Sequence, residues 1–132
     1  MPMRGFMAAV ALFACVSACP AAWAQTPGAA GGPPDGAALF RQQCGACHVI
    51  DPGSPGGRQG PHLRGVVGRK AGSIEGFQYS AGLKAADFAW DDEKLDAYLT
   101  NPQNVVKGGI MPYRQGKQDV RQRIIEYLKE QG

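Results

Sequence analysis

The chain has 132 residues, 44% of them apolar and only 8% aromatic, with 14 Lys and Arg against 11 Asp and Glu. That is at most one domain, with a modest core that a bound cofactor could enlarge. A formal net charge of +3 is too small to point to nucleic acid or an anionic membrane as a partner.

The first segment reads as a leader. Arg4 precedes an apolar run from Phe6 to about Ala18, and the small residues around Ala22-Trp23-Ala24 lead to Gln25, the pattern of a secretory signal cut after Ala24. Residues 1–24 are therefore expected to be a signal peptide, and residues 25–35 (QTPGAAGGPPD) a flexible Pro/Gly/Ala-rich segment. The domain proper is expected over 36–132, with the mature protein in the bacterial periplasm. A second reading stays open, because Val16-Ser17-Ala18-Cys19 looks like the box before a lipid-modified cysteine, which would leave Cys19 acylated as a membrane anchor. Removal of the leader takes away Cys15, Cys19, Met1, Met3 and Met7. The mature chain then keeps Cys44, Cys47, Met111, His48 and His62 as its sulfur and imidazole groups.

Beyond the leader the chain reads as short helices set in Gly/Pro-rich loops. Asp35 is a good N-cap, and Leu39 with Phe40 predicts a helix from about Gly36 to Cys47. Residues 50–76 are dense in Gly and Pro, without a period, and read as loop with at most one helical turn. A second helix is expected from about Asp91 to Asn101, with acids in its first turn, Leu95, Tyr98 and Leu99 on one face and Pro102 ending it. The last helix is the clearest, from about Asp119 to Gln131, because Val120, Ile124, Tyr127 and Leu128 recur at i, i+4, i+7 and i+8. No strand pattern, repeat or phosphate loop is present.

The stretch Cys44-Gly45-Ala46-Cys47-His48 carries the chemistry. Residues at i and i+3 share a helical face, so the two cysteines can bond covalently to the two vinyl groups on one edge of a haem, and His48 then falls under the iron. A structural zinc site would need further Cys or His ligands, and the mature chain offers only His62. A redox disulfide would want a strand-helix-strand setting that the pattern lacks. Cys-x-x-Cys-His is instead the specific signal for c-type haem attachment.

Downstream, GPHLRGVVGRKAG, GFQYS, FAWDDEKLDAYL, NPQNVVKGGIM and RIIEYLK follow the motif in an order that resembles the soluble class I c-type cytochromes. The resemblance runs from about Gly36 to Lys129. It implies an all-α fold of short helices and long loops around one covalent haem c, with His48 and Met111 as axial ligands of the iron. It also implies that the Pro61 carbonyl accepts a hydrogen bond from His48, fixing the tautomer. Arg69, Tyr79 and Trp90 are implied to lie by the haem propionates, and Tyr98 with Leu99 to line the pocket. Gly36, Phe40 and Tyr127 are implied to stand where the first and last helices cross. Gln103 and Asn104 depart from the mitochondrial pattern, which has lysines there, and His62 stands where asparagine is common.

With imidazole and thioether filling both axial positions, the resemblance implies a monomeric electron carrier and not an enzyme. Its donors would be a quinol-oxidising complex or a periplasmic dehydrogenase, and its acceptors an oxidase, a reductase or a photosynthetic centre. A peroxidase or gas-binding protein, which needs Met111 displaced, and a haem-free zinc module are the competing classes.

Overall fold

The structure, a computed structural model, describes residues 34–51, 53, 57 and 59–132. The expected signal peptide, its cleavage site and Cys19 lie outside the described residues.

Five helices follow in order: α1 (Gly36–Gln43), α2 (Ala81–Lys84), α3 (Asp92–Thr100), α4 (Pro102–Val105) and α5 (Gln118–Glu130). Among the described residues there is no strand; an isolated antiparallel bridge joins Lys70 and Ala89. The fold is all-α, as expected. No helix among the described residues is long and apolar enough to cross a membrane.

α1 and α3 begin at side-chain caps, of which Asp35 was expected from the sequence. Asp35 Oδ1 accepts from the Ala38 amide at 2.6 Å and starts α1, and Asp91 Oδ1 accepts from the Lys94 amide at 2.7 Å and starts α3. Each thereby satisfies a first-turn donor that the helix itself cannot. α5 has no side-chain cap; its apolar stripe supplies its stability through packing. It buries Arg121, Ile124, Ile125 and Leu128, while Val120 and Tyr127 of the expected stripe are only partly buried against the core. Leu39 and Phe40 of α1 and Leu95, Tyr98 and Leu99 of α3 complete the same core.

Three boundaries differ from the sequence expectation. α1 ends at Gln43, four residues early, because both Cys44 N and Gly45 N turn to the Phe40 carbonyl, and the chain then closes a separate turn from His48 N to Cys44 O at 2.9 Å. The cysteine motif is therefore a turn beyond the helix. Pro102 does not simply stop α3. Asn101 caps a new four-residue helix in which Pro102 holds the first turn, where its missing N–H costs nothing. α2 was not expected; Ser80 Oγ caps it through the Leu83 amide at 3.4 Å.

α1 and α5 cross, and α3 packs on α5. The crossing is close at Gly36, where a Cβ would overlap the Arg123 carbonyl oxygen and come within 2.7 Å of Tyr127 Cβ. Only glycine lets the two backbones approach this far. Phe40 and Tyr127 pack there with ring centroids 5.5 Å apart.

Candidate cofactor site

Between this helical corner and the loops lies a cavity of about 410 Å³, within the range of small-molecule and cofactor sites. Cys44, Cys47, His48, Pro61, Arg69, Tyr79, Trp90, Tyr98 and Met111 all line it. Residues separated by up to 67 positions in sequence therefore share one wall system.

The turn after α1 sets the two cysteines. Cys44 is buried and Cys47 half-buried, and they are not joined to each other. Burial pushes the Cys44 thiol up to about 11, with the neighbouring Cys47 adding to the rise. A redox-active dithiol needs the opposite, a depressed thiol pKa. Among the described residues no three His, Cys, Asp or Glu side chains gather as a metal cluster, so a zinc site has no ligand set there.

His48 is held from behind. Its Nδ1–H donates to the Pro61 carbonyl at 2.8 Å, which leaves Nε2 as the nitrogen with its lone pair. Burial lowers the His48 pKa, the Pro61 bond opposing it, so the ring is neutral and able to ligate. Gly60 makes this possible, since a Cβ there would overlap the imidazole. Tyr98 and Trp90 meet edge to face at 4.8 Å, and Trp90 and Phe88 at 5.0 Å. Burial raises both the Tyr98 and Tyr79 phenols.

Arg69 spends its two terminal nitrogens on main chain, Nη1 to Arg64 O at 2.8 Å and Nη2 to His62 O at 3.0 Å. It therefore braces the loop that presents Pro61. His62 itself is absent from the cavity lining. The rest of the wall is divided by chemistry. Leu63, Val66, Leu83, Leu95, Leu99, Ile124 and Leu128 are apolar, while Arg69, Lys70, Gln78, Tyr79, Ser80 and Trp90 bring donors. A flat apolar ring carrying acidic substituents suits that division, so the residues present fit the haem that the motif implies.

Sequence reasoning missed several of these positions. Gln43 and Tyr113 both line the cavity, and the Tyr113 hydroxyl donates to Gln43 Oε1. Ile110, beside Met111, is 76% exposed at the cavity margin. Adjacency to the Cys44 motif and to Met111 was the available signal for all three.

A family model described as Cytochrome c matches residues 34–131. A protein named cytochrome c type-1 from Ascaris suum is 38% identical over 97 residues, covering 73% of this chain and 85% of its own. Cytochrome c from Nigella damascena is 34% identical over 102 residues (76% and 91%), and that from Ulva intestinalis 37% over 101 residues (76% and 90%).

Proposed function

Since this chain belongs to the cytochrome c family and is a haem-containing electron carrier with one covalent haem c, we propose that it passes single electrons between redox proteins of the bacterial periplasm with His48 and Met111 as axial ligands. Cys44 and Cys47 are its attachment points. When bound, the haem supplies the one-electron ferric/ferrous couple. The observation that carries the reading is the shared cavity in which Cys44, Cys47, His48 and Met111 all present side chains.

Within that reading each residue has a stated task. The Pro61 carbonyl holds the His48 tautomer and raises the basicity of Nε2. Arg69, Tyr79 and Trp90 line the cavity with donor-bearing side chains, and buried carboxylates require donors. The apolar wall excludes water, which limits reorganisation on electron transfer. The leader alone supports the periplasm; the relatives named above are eukaryotic. Donors and acceptors of the classes expected from the sequence fit a small carrier whose cavity margin is open at Ile110.

The test is Met111→Ala in protein recovered from the periplasmic fraction. The variant should lose the sulfur-to-iron charge-transfer band, fall in reduction potential and admit carbon monoxide. A native low-spin spectrum with that band intact sinks the assignment of Met111, and haem protein found only in the cytosol sinks the periplasmic one.

A further inference from the structure

The segment carrying Met111 is poorly secured by its own backbone. Among the described residues, the last main-chain bond before Met111 is Gly109 N to Val106 O at 3.1 Å and the next is Gln115 N to Leu99 O at 2.8 Å. Between them, residues 110–114 make no main-chain hydrogen bond, and the one side-chain bond inside the span is from Tyr113. Its hydroxyl donates to Gln43 Oε1, the side chain immediately before Cys44.

The same acceptor takes a second donor. Gln115 Nε2 reaches Gln43 Oε1 at 2.9 Å and lies 3.5 Å from the Tyr113 hydroxyl. Gln115 is itself fully employed. Its Oε1 accepts from Lys117 N at 3.0 Å, and its carbonyl accepts from Arg121 Nη1 at 2.9 Å. Arg121 in turn pairs with Asp96 of α3 at 2.7 Å and is buried. The exit of the loop is thus fixed to α3 and α5, and its middle is fixed to the last residue of α1, beside the cysteine motif.

We infer that Gln43, Tyr113 and Gln115 form a hydrogen-bonded latch that holds the Met111 segment against the cysteine turn and so controls how readily the thioether leaves the iron. The inference rests on the reading of Met111 as a ligand. Gln43 and Tyr113 are positioning residues, 70 positions apart in sequence, and Gln43 Oε1 is the shared keeper. A thioether is a weak ligand to ferric iron, so a modest loss of tethering is enough to expose the site to a competing base.

The test uses ferric holoprotein with imidazole as the entering probe, comparing Tyr113→Phe and Gln43→Leu with the wild type. Loss of one net hydrogen bond predicts imidazole entry about fivefold faster in Tyr113→Phe, and loss of both bonds a larger increase in Gln43→Leu, each with a weakened sulfur-to-iron charge-transfer band. The double variant should be no faster than Gln43→Leu alone, because Gln43 supplies the acceptor for both bonds. Met111→Ala serves as the independent control of the ligand; if its charge-transfer band survives, both the ligand reading and the latch fall. With the band lost in that control, unchanged imidazole entry in Tyr113→Phe and Gln43→Leu overturns the latch alone. A fall in melting temperature without faster entry overturns it equally, since that is mere structural support.

Discussion

Where α1 crosses α5 the chain supplies its own packing: Leu39, Phe40, Ile124, Ile125 and Leu128 are buried, and Gly36 lets the backbones touch. Around the cavity, residues 59–90 and 101–117 hold only two four-residue helices, with turns fastened by scattered bonds such as Gly68 N to Trp90 O at 2.7 Å and Ala71 N to Phe88 O at 2.9 Å. The first region closes mostly on itself, with Ile124 and Leu128 also reaching the cavity. The second closes on the cavity, so much of its apolar surface has no protein partner, and the cofactor must complete it. That difference assigns the stability of each region to a different source, and each source can be removed separately.

Cofactor removal should have the largest effect. A cavity of about 410 Å³ left empty costs on the order of 10 kcal/mol at the usual charge per unit volume, which is comparable with the whole stability of an ordinary domain. Chain made with Cys44→Ser and Cys47→Ser and freed of haem should show no fixed aromatic circular dichroism. Its residual hydrogen-exchange protection should be confined to α1 and α5. Slowly exchanging amides throughout 59–90 in that chain would erase the distinction between the two regions.

Next is Gly36→Val in the holoprotein. The added side chain meets main chain of α5 at Arg123 and the Tyr127 Cβ, neither of which can rotate aside. Overpacking of this kind should lower stability by about 3 kcal/mol in denaturant titration, or roughly 10 to 20 °C in midpoint for a domain of this size. The native visible spectrum should be unchanged, because Gly36 and the Arg123 and Tyr127 groups it meets do not line the cavity. A loss below about 0.5 kcal/mol would mean that the helices shift freely and the crossing is not the self-supporting region.

The two regions were also unequally legible in the sequence. The crossing and α3 could be read because their signals are local: Asp35 caps α1, acids gather in the first turn of α3, and apolar residues recur at helical spacing over two or more turns. α2 and α4 escaped because a four-residue helix shows no period, and Pro102 carries opposite meanings at a helix end and at a helix start. The early end of α1 depends on two amides sharing the Phe40 carbonyl, a geometric outcome with no composition cue. The pairing of Gln43, Tyr113 and Gln115 was invisible for another reason. Neutral polar side chains have no periodicity, and their pairing across 70 and 72 positions exists only once the loop has been folded back on the motif.

The smallest expected effect bears on how the loop region yields to acid. His62 Nδ1 is shut off from water and has no partner among the described residues. Burial lowers its pKa first, the Arg69 guanidinium lowers it further, and Asp51 opposes them. The unfolded chain therefore takes up this proton near the ordinary histidine value of about 6.5, while the folded chain resists it to lower pH. Since the unfolded state then binds more protons, His62 contributes stability that is fully present above about pH 6.5 and is lost as pH falls through its lowered folded value. The loss falls on the loop in which Arg69 grips the His62 carbonyl and Pro61 receives His48. His62→Asn removes the titration and should flatten the stability profile as pH falls below about 6.5, His48 being common to both proteins. The extra protection against acid should appear in exchange rates of residues 59–69 before it appears in α1 or α5. Identical pH profiles for the two proteins would show that His62 titrates alike folded and unfolded, and that acid attacks the two regions together.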